Sequence, residues 1–372
     1  MLRVPFFQVR LEGQDVTPWI DSVSVTEDDR QADSVSLTIP DGRFLYSDAL
    51  FEGSEIEVDL GYAEASQHAL LLRGMVTGIE TQYPENGVPT ATVKAQDRSI
   101  EMALEERNIR WKDRTVTDIV REVAAPYAFA EVVARLSPDP MIDRRPLHQN
   151  GKTDLAFLQE LANQYHAKCF VELNERNQDV LYFIPEDGIL RTRRPDQLRL
   201  RYRTGPGSNL ISFSPRFDTT FVDRQTRVND LDQNGEPIRS TDRPLPEPVV
   251  WRLDGERVRQ QASVADQRRI NHLYTIGTAR KAAFQGRLEA PRPAVGEVAA
   301  DQTDIESTND TFPTQRLGMS ASGTTFGSIW MRAKAIVSTE GFAERFNGEW
   351  YVSSVTHRVD RNGYQTDFRC RR

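Results

Sequence analysis

Gly151-Lys152-Thr153 stands immediately before a helical segment, the place where a phosphate-cradling loop ends. Such a loop needs a second glycine five residues before Gly151, so that consecutive backbone amides can wrap the anion. That position is Pro146, and the triplet reads instead as a helix cap with a lysine beside it. Gly318-Met319-Ser320-Ala321-Ser322-Gly323 comes one residue short of a nucleophile elbow. Ser322 holds the final glycine position and no apolar strand leads in, so a flexible loop is expected. The five histidines, His68, His148, His166, His272 and His357, include no pair at helical ligand spacing. Only a metal site gathered from scattered residues stays open. Asp28-Asp29 and Glu105-Glu106 would point to opposite faces of a strand, which makes poor acid–base pairs, and they read as solvated turns. Arg191, Arg193, Arg194, Arg199, Arg201 and Arg203 form one basic run. It can hold phosphates, but only Tyr202 is interleaved as a stacking platform. Alternation with Leu198 and Leu200 points to a strand face that is solvated or meets a neighbouring subunit, with nucleic acid as the alternative. No catalytic, cofactor-binding or metal-ligating residue is predicted.

Composition narrows the class. The chain has 372 residues, 47 Lys+Arg against 55 Asp+Glu, and a net charge of -8, which argues against a whole-chain electrostatic grip on nucleic acid. Its longest apolar runs, such as Ala69-Leu70-Leu71-Leu72, fall far short of a membrane span, so no membrane partner is expected. Two cysteines, Cys169 and Cys370, cannot build a disulfide framework or a four-thiolate zinc site. Cys169 beside Phe170 reads as core. The opening Met1-Leu2-Arg3-Val4-Pro5 carries no export run, and synthesis in the cytoplasm is expected.

The elements that would position these residues separate by period. Val35, Leu37 and Ile39 alternate with Ser34, Ser36 and Thr38; Ile56, Val58 and Leu60 alternate with Glu55, Glu57 and Asp59. Period two with one polar face means half-buried antiparallel strands. Breakers at Glu12-Gly13, Pro40-Asp41-Gly42, Glu52-Gly53 and Asn86-Gly87 divide residues 1–105 into a first β-barrel. Residues 106–190 change period. Thr115-Val116-Thr117-Asp118 has the form of a capping box, followed by Ile119, Val120 and Val123 on one helix face. A second helix starts at Thr153-Asp154, and strands follow at Cys169–Leu173 and Val180–Ile184, which makes an α/β insert. Alternation returns at 191–222 and 329–372, ending in the hairpin signal Arg361-Asn362-Gly363, and these two stretches are read as a split second barrel. Between them, 223–328 is read as an excursion with one helix over 263–284 and long polar loops. The predicted class is mainly β with an α+β insert: two similar antiparallel β-barrel domains and a small α/β module between them.

Four segments resemble the phage late control D family, the baseplate hub proteins of contractile tails. They are Asn108 to Val120, His148 to Ala162, Asn209-Leu210-Ile211-Ser212-Phe213-Ser214-Pro215, and the pair Gly348 to His357 with Gly363-Tyr364-Gln365-Thr366. They occur in family order over 108–366, and 223–328 matches least. The second has the family's "Q-x-x-x-T-D-x-x-F-L-x-x-L-A" form at Gln149, Thr153, Asp154, Phe157, Leu158, Leu161 and Ala162.

The resemblance implies a homotrimer without catalysis or cofactor. Each chain supplies two barrels, so three make a pseudo-hexameric ring that joins a hexameric inner tube to a trimeric spike. Implied partners are the spike, an inner tube or tube-initiator protein, baseplate wedge proteins, and a tape-measure protein or cargo. Because the sequence stops at Arg372 after the closing hairpin, the spike is expected as a separate chain. The implied location is the baseplate of an assembled phage tail or phage-like injection particle. The alternatives are a tail-associated cell-wall hydrolase and a nucleic-acid-binding module.

Overall fold

Six strands of period-two sequence build the first β unit in a computed structural model. That structure describes residues 4–64, 67–137, 139–143, 146–165, 167–185, 199–202, 207–217, 319–343 and 346–372, with short pieces between 226 and 293. The strands are β1 (Pro5–Leu11), β2 (Ser22–Asp28), β3 (Ser34–Pro40), β4 (Glu55–Tyr62), β5 (His68–Gln82) and β6 (Thr90–Asp97). They pair antiparallel in the order β2-β3-β6-β5-β4-β1. Val23, Val25, Leu37, Ile39, Ile56, Val58, Leu60 and Val93 enter one core, and their polar neighbours take the other face. The short helix α1 (Leu45–Ala49) follows β3, and Asp41 accepts hydrogen bonds from its Tyr46 and Ser47 amides.

The insert packs α2 (Val116–Ala124) and α3 (Asp154–Gln164) on a three-stranded sheet of β7 (Glu131–Ala134), β8 (Ala167–Leu173) and β9 (Asp179–Pro185). Both predicted caps are present. Thr115 Oγ1 accepts from the Asp118 amide at 3.2 Å, and Thr153 Oγ1 from the Ala156 amide at 3.3 Å. Val116, Ile119, Val120 and Val123 of α2 and Phe157, Leu158, Leu161 and Ala162 of α3 share one core with Leu181 and Phe183.

The second unit contains β10 (Arg199–Arg201), β11 (Leu210–Phe217), β12 (Met319–Phe326), β13 (Ala335–Glu340), β14 (Gly348–Asp360) and β15 (Gly363–Arg371). Its order is β10-β13-β14-β15-β12-β11, with only the β10–β13 pair parallel. Asn209 stitches the two ends together. Its Oδ1 accepts from the Arg201 amide at 2.8 Å, and its Nδ2 donates to the Arg199 carbonyl at 2.7 Å. The ring so closed surrounds Trp350, Val352, Val355 and Phe368.

Two features depart from the sequence reading. The strand β12 lies inside the stretch expected to be a long polar loop. Met319, Ala321 and Thr325 are buried while Ser320, Ser322 and Phe326 are exposed, so the alternation exists but small residues carry it. A Cβ on Gly323 would stand 2.5 Å from the Phe368 ring, which is why the inward position is empty of side chain. The second departure is that the two β units share a strand. The N-terminal part of β14 pairs with β13, and Ser354–Val359 pairs with β2. A register shift between Val352 and Ser354 moves the strand from one partner to the other. The sequence holds the trace of it: buried Trp350 and Val352 occupy even positions, and Val355, His357 and Val359 odd ones. Val359, Tyr364 and Ile329 accordingly belong to the first unit's core, and thirteen described strands form one sheet. The helix expected over 263–284 lies largely outside the described residues, as do Arg191, Arg193, Arg194, Arg203 and His166.

Candidate assembly site

The densest chemistry in the described structure is a buried seam of charge where the first unit, the insert and the second unit meet. Alternation in β2 carries inward first Val23 and Val25, then Glu27, and just beyond the strand Asp29. The segment before β13 supplies Arg332 and Lys334, β15 supplies Arg371, and β8 supplies Lys168 and Glu172. Arg332 pairs with Glu27 and lies 3.6 Å from Glu172; the Ala333 amide donates to Glu27 Oε2 at 3.0 Å. Lys334 Nζ is 3.3 Å from Asp33 and 4.9 Å from the centre of the Phe170 ring. Asp29 holds both Lys168 at 3.2 Å and Arg371 at 2.6 Å. The Asp33 amide donates to Asp97 Oδ2 at 2.6 Å.

Burial pushes the Asp33 and Asp97 carboxyls above their ordinary range, and Lys334 pulls both back. At the end of the seam His357 Nδ1 stands 2.8 Å from the Tyr364 hydroxyl, and burial lowers its pKa to about 4 against the pull of Glu27. His357 is therefore a neutral core imidazole. Cys169, close enough to feel Asp97, has its thiol pushed up to about 12 by burial, which leaves no nucleophile there. Every basic group named here is committed to a carboxylate. This arrangement ties three modules together through buried ion pairs. Reading Asp29 as solvated thus fails: Asp28 and Asp29 do take opposite faces, and Asp29 takes the buried one.

The motif at Gln149–Ala162 is also structural. Asp154, at the first turn of α3, is buried and accepts from Gln149 Nε2 at 2.6 Å and from the Tyr127 hydroxyl at 2.7 Å, with Arg107 at 3.4 Å. Burial and this carboxylate raise the Tyr127 phenol well above its usual range. Lys152 pairs with Glu160 and holds no phosphate-loop geometry. His68 lies 3.1 Å from Asp59, and Glu57 pairs with Arg73 at 2.7 Å. Arg199 and Arg201 reach solvent and also lie 3.7 and 3.5 Å from Glu340 of their own chain, because β10 runs parallel to β13 with Arg201 opposite Glu340. Glu105 and Glu106 stay exposed, and Cys169 and Cys370 are free and buried. Among the described residues no cluster of His, Cys, Asp and Glu could hold a metal, and no helix is long and apolar enough to cross a membrane.

One surface feature escaped the sequence reading. Trp19, Phe44, Phe51 and Tyr83 are 41 to 67% exposed at turns of the first unit. The rings of Trp19 and Tyr46 are 4.8 Å apart, and those of Phe44 and Tyr83 are 5.7 Å apart. Phe44 adopts φ 59°, an uncommon conformation for a non-glycine residue, and holds its ring outward. Contiguous exposed apolar patches mark contact surfaces, and here two aromatic ring pairs reach solvent. The available signal was the placement of Phe44 and Leu45 one residue beyond the Pro40-Asp41-Gly42 turn.

The model of the family described as phage tail baseplate hub (GPD) matches residues 34–363. The tail protein from Neisseria meningitidis MC58 aligns with 99% of this chain and 97% of its own, at TM-score 0.62 and 16% identity. The 43 kDa tail protein of prophage MuSo2 from Shewanella oneidensis aligns over 98% of both chains, at TM-score 0.64 and 13% identity. A component of the Escherichia coli type VI secretion system covers 97% of this chain and 76% of its own, at TM-score 0.56 and 13% identity. No curated protein sequence matches the chain. At these identities the solved structures show a shared mainly-β fold, and the family match shows kinship. The chain belongs to the phage tail baseplate hub (GPD) family.

Proposed function

We propose that this chain is the structural hub of a contractile tail or phage-like injection particle, acting as a homotrimer that forms a pseudo-hexameric ring. The ring adapts a hexameric inner tube on one side to a trimeric spike on the other. The observation that supports this most is the shared strand β14, backed by the buried charge seam, which joins two β units in one chain through a single sheet. Three such joined pairs supply six units around a threefold axis. The exposed aromatic end of the first unit is assigned to the contact with the next copy in the ring. Wedge proteins, and a tape-measure protein or cargo, complete the set of partners, and the reading includes no catalysis. Light scattering on the purified chain, alone and with the spike, tests it. The expected mass is that of three chains, formed alone or on adding spike. A monomer that binds neither spike nor tube protein contradicts it, as does a peptidoglycan-lysis band abolished by a single carboxylate substitution.

A further inference from the structure

Between the outer edge of β1 and the tip of the β14–β15 hairpin lies a cleft of about 1560 Å³, larger than a small-molecule site needs. Its apolar wall is Phe7, Tyr62, Met331, Val359 and Tyr364. One side of β1 is fully laddered to β4 from Pro5 to Leu11. On the other side Val9 uses its amide on Thr17 Oγ1 at 2.9 Å and its carbonyl on the Val16 amide at 3.0 Å. Alternate residues of a strand direct their backbone groups to the same edge. The Phe7 amide and carbonyl and the Pro5 carbonyl therefore point away from β4, toward the cleft, and no hydrogen bond satisfies them among the described residues. Residues on either side blunt the edge: Pro5 has no amide to offer, and the segment at Val16–Thr17 covers Val9. The open length is a window of three backbone groups, half-buried and floored by aromatic rings.

Backbone groups arrayed along a strand edge recognise extended backbone, and the apolar wall beside them recognises every second side chain. Arg199, Asp360 and Arg361 stand at the rim, with Arg199 3.7 Å from Glu340 and Arg361 2.6 Å from Asp21, so residues between the apolar positions meet a polar rim of mixed charge. We propose that this window docks an extended segment of a partner protein, apolar at alternate positions and polar between them, which adds as a strand along β1. The inference stands apart from the threefold reading, since a monomer would present the same edge.

Binding of a fluorescent capped heptapeptide of alternating valine and glutamate to the full chain, followed by anisotropy, tests it. Binding is expected, and N-methylation of the peptide's central residue should weaken it by about tenfold, the loss of roughly one hydrogen bond to the edge. F7P removes the amide, which bonds nothing in the free chain, and so should leave the fold intact by circular dichroism. It should weaken binding further than F7A, which removes the same ring but keeps the amide. Equal binding by F7P and F7A, or indifference to the N-methyl group, would overturn the proposal. So would protection of the Phe7 amide from hydrogen exchange in the chain alone, because the edge would then already be filled by this protein itself. If F7P misfolds, the N-methylated peptide against the unmodified chain still decides.

Discussion

The two β units reach closed cores by different routes. The six strands of the first come from one continuous stretch, completed by Ile329, Val359 and Tyr364 from the C-terminal segment, and aliphatic residues such as Leu37, Ile39, Val58 and Leu60 share its burial among many side chains of similar size. The second is assembled from segments more than a hundred residues apart and rests on rings. Phe213 packs 4.8 Å from Phe342, edge-on to Trp350 at 5.6 Å, and 6.2 Å from Phe368. Large aromatic anchors concentrate burial in few positions. A unit closed by distant chain segments thereby gains what a local β meander obtains from many short-range strands, and Asn209 performs the last stitch.

The sharpest test of that difference is W350A. Trp350 is 1% exposed and donates from Nε1 to Thr339 Oγ1 and to the Phe346 carbonyl, both at 3.2 Å. Its loss should cost ~4 kcal/mol, against ~1 kcal/mol for I39V in the first unit. Urea unfolding measures both, and comparable losses would erase the contrast between concentrated and distributed cores. Next comes the lock between the units. K334M leaves Asp33 buried opposite no cation and should destabilise by ~3 kcal/mol. Adding D33N should recover most of that in the same unfolding experiment; no recovery would mean that Lys334 acts by packing alone.

A smaller effect has a pH signature. His357 is neutral in the fold because burial lowers its pKa to about 4, while an unfolded histidine titrates near 6.5. Between these values the unfolded chain binds the extra proton. The contribution is thus present above pH 6.5 and is lost as pH falls through 4. From pH 6.5 to 5 the loss should be ~2 kcal/mol. Asp33 and Asp97, held up by burial, act in the opposite sense, so the informative quantity is the difference between the parent chain and H357Q. That difference should shrink on acidification, and a constant difference would show that His357 does not set the slope. The smallest effect belongs to the insert. T153A removes the cap of α3 and should cost ~1 kcal/mol, visible as a modest fall in melting temperature with both β units otherwise unchanged.

Much of this architecture can be read in residues. The strands of the first unit follow from Val35-Leu37-Ile39 and Ile56-Val58-Leu60, where one face is apolar and each turn carries its own breaker. Thr115 and Thr153 announce their helices because capping is local. What sequence reasoning missed is non-local. Glu27 lies in perfect register with Val23 and Val25, yet a carboxylate on a core face has meaning only once Arg332, some three hundred residues later, is placed against it. Small residues hide β12, because the filler of its inward face is the Phe368 ring of another strand. The slip from Trp350 and Val352 to Val355, His357 and Val359 is visible in retrospect as a bulge. Its consequence, one strand serving two units, depends on β2 being alongside. The absence of a predicted catalytic residue left assembly surfaces as the thing to find, and exposed aromatics at turns carry no periodic signal.

The proposed ring repeats the two coupled β units of each chain about a threefold axis. Electron-microscope class averages of the purified chain mixed with its spike protein test this most directly. They should show a ring of six similar lobes with threefold symmetry around a central opening. Compact particles without an opening, or rings whose lobes number other than six, would contradict it.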